Sequence, residues 1–263
     1  CDRRQRQMCI RDRSNGALIR NPMAGVQRPK CKKTGGHRCL EPWERALIRS
    51  TWQEHDFGLA AMVMLYTGFR RGEMLHLNID RDVDFEKKTI AVRGAVSFSE
   101  GNRPKLTKGK TASAIRTVPL LPPLEEALKG RHGLVCHKEN GGIMSQSAFA
   151  CKYESYITFL ETKLNGIHKR WYGKTNEQKQ LLAEGKLPPW KEINIRCHDF
   201  RVEFCTRAYY AQVPLKTLQS WMGHADADMI LAIYTKLDKE QERTDAAKMI
   251  GYLSRMEVDS ASE

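Results

Sequence analysis

A mainly α-helical fold with a small antiparallel β-sheet, an α+β arrangement, is predicted by three features of the sequence. Helical apolar periods dominate its second half, the segment from Phe57 to Tyr66 is apolar almost all round, and period-two alternation is confined to the stretch between Val83 and Leu120. The chain has 263 residues, more than the usual single domain, so one main core with an appendage is expected. The division expected is a basic N-terminal arm or linker over residues 1–40, the remnant of a preceding domain, and one main domain over residues 41–263 with a C-terminal helix.

Residues 1–13 show no apolar period. Ala17-Leu18-Ile19 through Asn21-Pro22 reads as a helix end halted by proline, and Arg28-Pro29-Lys30-Cys31-Lys32-Lys33 with Gly35-Gly36 reads as a linker. Glu41-Pro42-Trp43-Glu44 opens a helix, because proline is tolerated where the backbone N–H has no helical partner. The buried helix of Phe57 to Tyr66 follows, then an amphipathic one around Arg70 to Leu77. Val83, Phe85, Ile90 and Val92 alternate on either side of Glu86-Lys87-Lys88, which predicts a hairpin. Arg116-Thr117-Val118-Pro119-Leu120 can add a third strand, which leaves Gly101 to Ala114 as the loop before it. Helices are then expected over Pro123–Leu128, Gln146–Leu164, Thr175–Ala183, Arg201–Gln212, Leu215–Met222, Met229–Leu237 and Glu240–Leu253. Gly166 to Trp190 is polar and lysine-rich, an elaborated loop between core helices.

Lys and Arg number 44 against 31 acidic residues, a net charge of +13, which favours an anionic partner and above all nucleic acid. Residues 1–40 hold eleven of those basic residues and two acidic ones, an excess of +9 that can release counterions along a duplex. Arg28, Lys30, Lys32, Lys33 and Arg38 are the candidate DNA contacts there. No run of eighteen apolar residues appears, so no membrane partner is expected. The chain opens Cys1-Asp2-Arg3-Arg4 without an initiating Met or an apolar signal region, as expected of a fragment of a soluble protein, and its scattered cysteines make a reduced cytoplasm the expected location. Eight cysteines without a CxxC pair indicate neither a disulfide framework nor a zinc ribbon, and Cys31, His37 and Cys39 lack regular ligand spacing.

Three clusters carry chemistry. In Thr67-Gly68-Phe69-Arg70-Arg71-Gly72-Glu73 a tight turn presents Arg70 near a helix start, where free N–H groups already favour an anion, although Arg70 and Glu73 alone would read as a helix-face ion pair. His198-Asp199-Phe200-Arg201 places His198 and Arg201 three residues apart on one helical face. Trp221-Met222-Gly223-His224-Ala225-Asp226 presents His224 just past a glycine-terminated helix, and ten residues on Tyr234 lies beside the apolar face of Ile230, Ile233 and Leu237.

Taken in order, Arg70, His198, Arg201, His224 and Tyr234, with their local sequences, resemble the tyrosine recombinase or phage integrase family, most like integrases of conjugative transposons. The resemblance covers residues 41 to about 238 and implies that family's catalytic-domain fold. It implies a site-specific DNA recombinase that integrates or excises a mobile element through a covalent 3′-phosphotyrosine bond. Arg70 and Arg201 would clamp the phosphate, with His198 and His224 as their companions, Tyr234 as nucleophile and Glu73 supporting the shell. A lysine on the loop between the second and third strands is also implied; Lys105, Lys108 and Lys110 all qualify, and Lys110 is preferred because Lys110-Thr111 precedes Thr117-Val118-Pro119-Leu120, with Lys108 assigned to DNA contact. Double-stranded DNA, a homotetramer on that DNA, an excisionase or other DNA-bending accessory protein, and a bacterial nucleoid location follow from the same resemblance. Neither cofactor nor metal is implied, since the cations of the site fill the place of a divalent ion. Residues 1–40 are too short for the core-binding domain usual in the family, and Ala246, Ala247, Ile250 and Leu253 form an apolar helix face that can dock on its own domain or a neighbour's. The rival readings are a type IB topoisomerase-like relaxer and a non-catalytic DNA-binding regulator.

Overall fold

A computed structural model describes residues 37–98, 102–108, 115–223 and residue 230, all within the unit that begins at His37. The expected helix end at Asn21-Pro22, the linker before His37 and the helices over Met229–Leu237 and Glu240–Leu253 lie outside the described residues, residue 230 excepted.

Helix α1, Pro42–Thr51, starts on its proline, and the Glu44 carboxylate accepts the Glu41 backbone N–H at 2.8 Å. A short 3₁₀ turn leads to α2, Gly58–Thr67, whose residues from Ala60 to Thr67 are all buried. No polar stripe exists in its sequence, so α2 can only be surrounded, and its neighbours form around it. Each fully buried Leu or Met there contributes about 1.5–3 kcal/mol of apolar transfer. At Gly68 the chain turns left-handed (φ +65°), and a Cβ there would lie 2.8 Å from the Phe204 ring. Helix α3, Arg71–His76, follows at once.

After the four-residue helix α4 (Ile79–Asp82), strands β1 (Val83–Asp84) and β2 (Thr89–Val92) form the expected hairpin, and β5 (Arg116–Pro119) pairs antiparallel with β2, Val118 opposite Ile90. Ile90, Val92 and Val118 turn their side chains into the core. The loop expected over Gly101 to Ala114 is corrected: Lys105–Lys108 forms a strand, β4, paired with β3 (Gly94–Ser97) in a separate two-stranded sheet. Its Leu106 is exposed, so pairing rather than burial makes the strand. β3 packs closely on α3, for a Cβ at Gly72 would meet the Val96 carbonyl oxygen at 2.5 Å.

The remaining helices are α5 (Pro122–Leu128), α6 (Gln146–Asn165), α7 (Asn176–Ala183), α8 (Cys197–Tyr210) and α9 (Leu215–Met222). A second correction concerns α8, which begins four residues before the expected Arg201 because Asp199 accepts the Arg196 backbone N–H at 2.8 Å and caps its first turn. Phe204, Cys205 and Ala208 of α8 pack with Leu218 and Met222 of α9 in a smaller core beside the main one. Residues 37–40, assigned by composition to the basic arm, are fastened to this unit. Leu40 is buried and donates its N–H to Glu203, while Arg38 forks onto buried Glu44 and reaches the Asn194 carbonyl oxygen.

Candidate active site

The left-handed turn at Gly68 delivers Arg70 to the N-cap of α3, where Glu73 one turn on accepts its backbone N–H and its Nη1, both at 2.9 Å. The same carboxylate takes a two-pronged bond from Arg116 of β5, Nη1 to Oε1 at 3.0 Å and Nη2 to Oε2 at 2.8 Å. Nη1 of Arg201 stands 4.0 Å from it. Three guanidiniums from α3's cap, β5 and α8 thus gather around one buried carboxylate. Burial alone would raise the Glu73 pKa, but the Arg116 hydrogen bonds and charge, the Arg70 N–H and the Arg201 charge together hold it below the ordinary carboxylate range.

The three arginines differ in what they can reach. Arg201 is fully buried and donates Nη1 to the Gly68 carbonyl oxygen and Nη2 to that of Met222. Arg116 donates Nε to the Trp221 carbonyl oxygen. The end of α9, two residues before His224 in sequence, is therefore tied to the turn that presents Arg70. Arg70 itself keeps 38% of its side chain exposed and opens onto a cleft of about 510 Å³ shared with Arg71, Tyr153, Glu154, Arg196 and His198.

His198 stands in the first turn of α8 on that cleft, and its ring lies 4.3 Å, centre to centre, from the ring of His37. His37 Nδ1 is 3.0 Å from Oδ1 of buried Asp199. Cys197 beside it is no competing nucleophile near neutral pH, because burial pushes its thiol up to about 11. Burial also drives the Tyr153 hydroxyl far above its usual value, and it donates to the Ile195 carbonyl oxygen at 2.6 Å. Another cleft, of about 320 Å³, between Trp52 and His137 shares no residue with this one.

Arg70, Glu73, His198 and Arg201 are thus brought to one region, joined by Arg116, which was read from sequence only as a strand residue. Its signal was present: Arg116 alternates in register with core-facing Val118, and a charge on the inward face of a strand demands a buried partner. Lys105 and Lys108 open and close β4. Lys110, His224, Tyr234 and the basic residues Arg28, Lys30, Lys32 and Lys33 lie outside the described residues. Arg38 is engaged by Glu44. Among the described residues no group of His, Cys, Asp and Glu side chains could hold a metal ion, and no helix is long and apolar enough to cross a membrane.

The phage integrase family model matches residues 48–241. A tyrosine recombinase XerC-like protein of Caldanaerobacter subterraneus is 26% identical over 258 residues, 90% of this chain and 61% of the relative. Prophage integrase IntR of Escherichia coli is 29% identical over 173 residues, and the transposase of transposon Tn916 from Enterococcus faecalis 28% over 176, each aligned over 40% of its own length. The chain therefore spans between two fifths and three fifths of the curated relatives it matches. The solved Tn1549 transposon integrase in complex with a circular intermediate DNA superposes with a TM-score of 0.61 at 22% identity, covering 91% of this chain and 75% of that one, a likeness of fold.

Proposed function

The chain belongs to the phage integrase family, and on that premise we propose that it cuts and rejoins double-stranded DNA in site-specific recombination, integrating or excising a mobile element through a covalent bond from Tyr234 to a 3′ phosphate. The observation that carries this reading is the gathering of Arg70, Arg116 and Arg201 around Glu73, with Arg70 turned to the cleft that holds His198.

The chemistry follows from what a phosphodiester needs. Attack builds negative charge on the non-bridging oxygens and on the departing sugar oxygen. Arg70, oriented by Glu73 and partly exposed, offers a fixed, always-protonated fork for the first. Arg201 donates Nη1 and Nη2 to carbonyl oxygens in this structure and is proposed to complete the clamp on the same phosphate. Loss of one such preorganised donor typically costs about 3–4 kcal/mol of barrier. The phenol of Tyr234 is ionised only to roughly one part in a thousand at neutral pH. His198 is proposed to accept its proton, His224 to join the phosphate contacts and Lys110 to protonate the 5′ oxygen as it leaves. The strand is rejoined when a 5′ hydroxyl attacks the phosphotyrosine and frees Tyr234; one phosphoester replaces another, so no nucleotide is consumed. Arg28, Lys30, Lys32, Lys33, Arg38 and Lys108 are proposed to touch the DNA backbone, Arg38 after release from Glu44. The working assembly is proposed to be a homotetramer on paired sites within the nucleoid, aided by an excisionase or other DNA-bending protein.

The test is a suicide duplex carrying a candidate element end, incubated with the chain in chelator. A DNA adduct that survives denaturation and disappears in Tyr234→Phe is expected. Adduct formation that persists in Tyr234→Phe, or that returns only with Mg²⁺, would overturn the reading, and relaxation of supercoiled plasmid without recombinants would move it to the topoisomerase class.

A further inference from the structure

His37 belongs to none of the assigned roles, yet two independent contacts tie it to the proposed proton acceptor. Its Nδ1 lies 3.0 Å from Oδ1 of Asp199, a carboxylate that is 4% exposed and whose other oxygen caps α8 through the Arg196 N–H. Its ring stands against that of His198, with centres 4.3 Å apart and planes at 51°. His198 and Asp199 are adjacent in the first turn of α8. A side chain anchored on Asp199 therefore limits the positions open to the His198 ring.

We propose that His37 is a positioning residue for strand cleavage: held by Asp199, it braces the His198 imidazole at the cleft and, when both rings could be charged, disfavours protonation of His198. The electrostatic part follows from proximity, because two imidazolium ions with ring centres 4.3 Å apart would repel. The other charged groups around the pair are Asp199 and Arg38 on the His37 side and Arg70, Arg71, Arg196 and Glu154 around the cleft. Four of these six are permanently cationic, so a charged His37 would add one more like charge beside the His198 ring. The anchoring part depends on the hydrogen bond to Asp199, which an amide donor can replace, whereas the repulsion cannot be replaced by any neutral side chain.

The inference rests on the recombinase reading for its consequence but not for its geometry, and two measurements on the full chain separate the failures. NMR titration of the His198 imidazole without DNA is expected to move to higher pH by about half a unit or more in both His37→Ala and His37→Gln, since either removes the like charge. Single-turnover cleavage of the suicide duplex is expected to slow about tenfold in His37→Ala at unchanged DNA affinity, with its acid limb moved to higher pH, and to recover most of its rate well above that limb in His37→Gln. His37 is 45% exposed on its side chain, so neither variant removes core packing. An unmoved His198 titration in His37→Ala overturns the inference whether or not the chain cleaves DNA. A wild-type chain that forms no adduct overturns the recombinase reading and leaves the titration to decide the coupling. Adduct formation with an unchanged rate and pH profile in His37→Ala overturns the positioning role.

Discussion

Four N–H donors from Arg70 and Arg116 meet the single carboxylate of Glu73, and this makes its ionisation part of the stability of the fold. A carboxyl whose folded pKa is depressed contributes stability that is complete above its unfolded pKa, about 4.3, and is lost as pH falls through the folded value. Thermal melts from pH 7 down to pH 3 should therefore show an acid loss in the wild type that Glu73→Gln largely lacks, the variant melting lower at pH 7. The two arginines assigned to the phosphate should separate in the same assay. Arg70→Lys, at a partly exposed fork, is expected to lower cleavage by about 10²–10³-fold with a stability change under about 1 kcal/mol. Arg201→Lys loses the fork that joins two buried carbonyl oxygens and is expected to destabilise by about 1–3 kcal/mol as well as to abolish cleavage. Parallel melting and single-turnover assays would refute the division of roles if both variants lost the same stability.

At the scale of elements, the path from α2 through Gly68 to α3 sets where Arg70 stands. Gly68→Ala must hold a Cβ in a left-handed conformation and 2.8 Å from the Phe204 ring, so a loss of about 1–2 kcal/mol from the backbone is expected before any shift of α8. Because Arg201 on α8 also holds the Gly68 carbonyl oxygen, cleavage should fall further than stability; a melt lowered without any change in cleavage rate would show that the turn does not position Arg70. The helices α6 and α9, the hairpin of β1 and β2, and the pairing with β5 were legible from the period of their apolar residues, and α2 because its unbroken apolar run is longer than a usual strand. β4 was not, since in Lys105-Leu106-Thr107-Lys108 the apolar residue faces solvent and the strand exists through its bonds to β3. The start of α8 was missed for a similar reason: its cap is the Asp199 side chain reaching back to Arg196, and the apolar period begins only later.

For the whole molecule, charge is the property that the sequence states most directly. Of the net +13, the larger part lies in residues 1–40, so neutralising Arg28, Lys30, Lys32 and Lys33 together to Ala should weaken DNA binding without regard to sequence. If all four meet phosphates, the slope of log K against log salt becomes shallower by up to about 3–4, and fluorescence anisotropy over a salt series measures it. An unchanged slope would mean that these residues meet no phosphate. Arg38, counted by composition with the same arm, donates in this structure to Glu44 and to the Asn194 carbonyl oxygen, which no count of charges could reveal.

By itself the sequence determined the mainly helical class, the buried helix α2 and the order of the arginine, histidine and tyrosine positions, because apolar runs, apolar period and motif spacing are properties of the chain read along its length. Only the tertiary structure decided that Arg116 shares Glu73 with Arg70, that Arg201 ties Gly68 to Met222, and that His37 leans on His198. Those partners are separated by tens of residues or more, and a buried charge finds its counterion through packing in space, where distance along the chain carries no information.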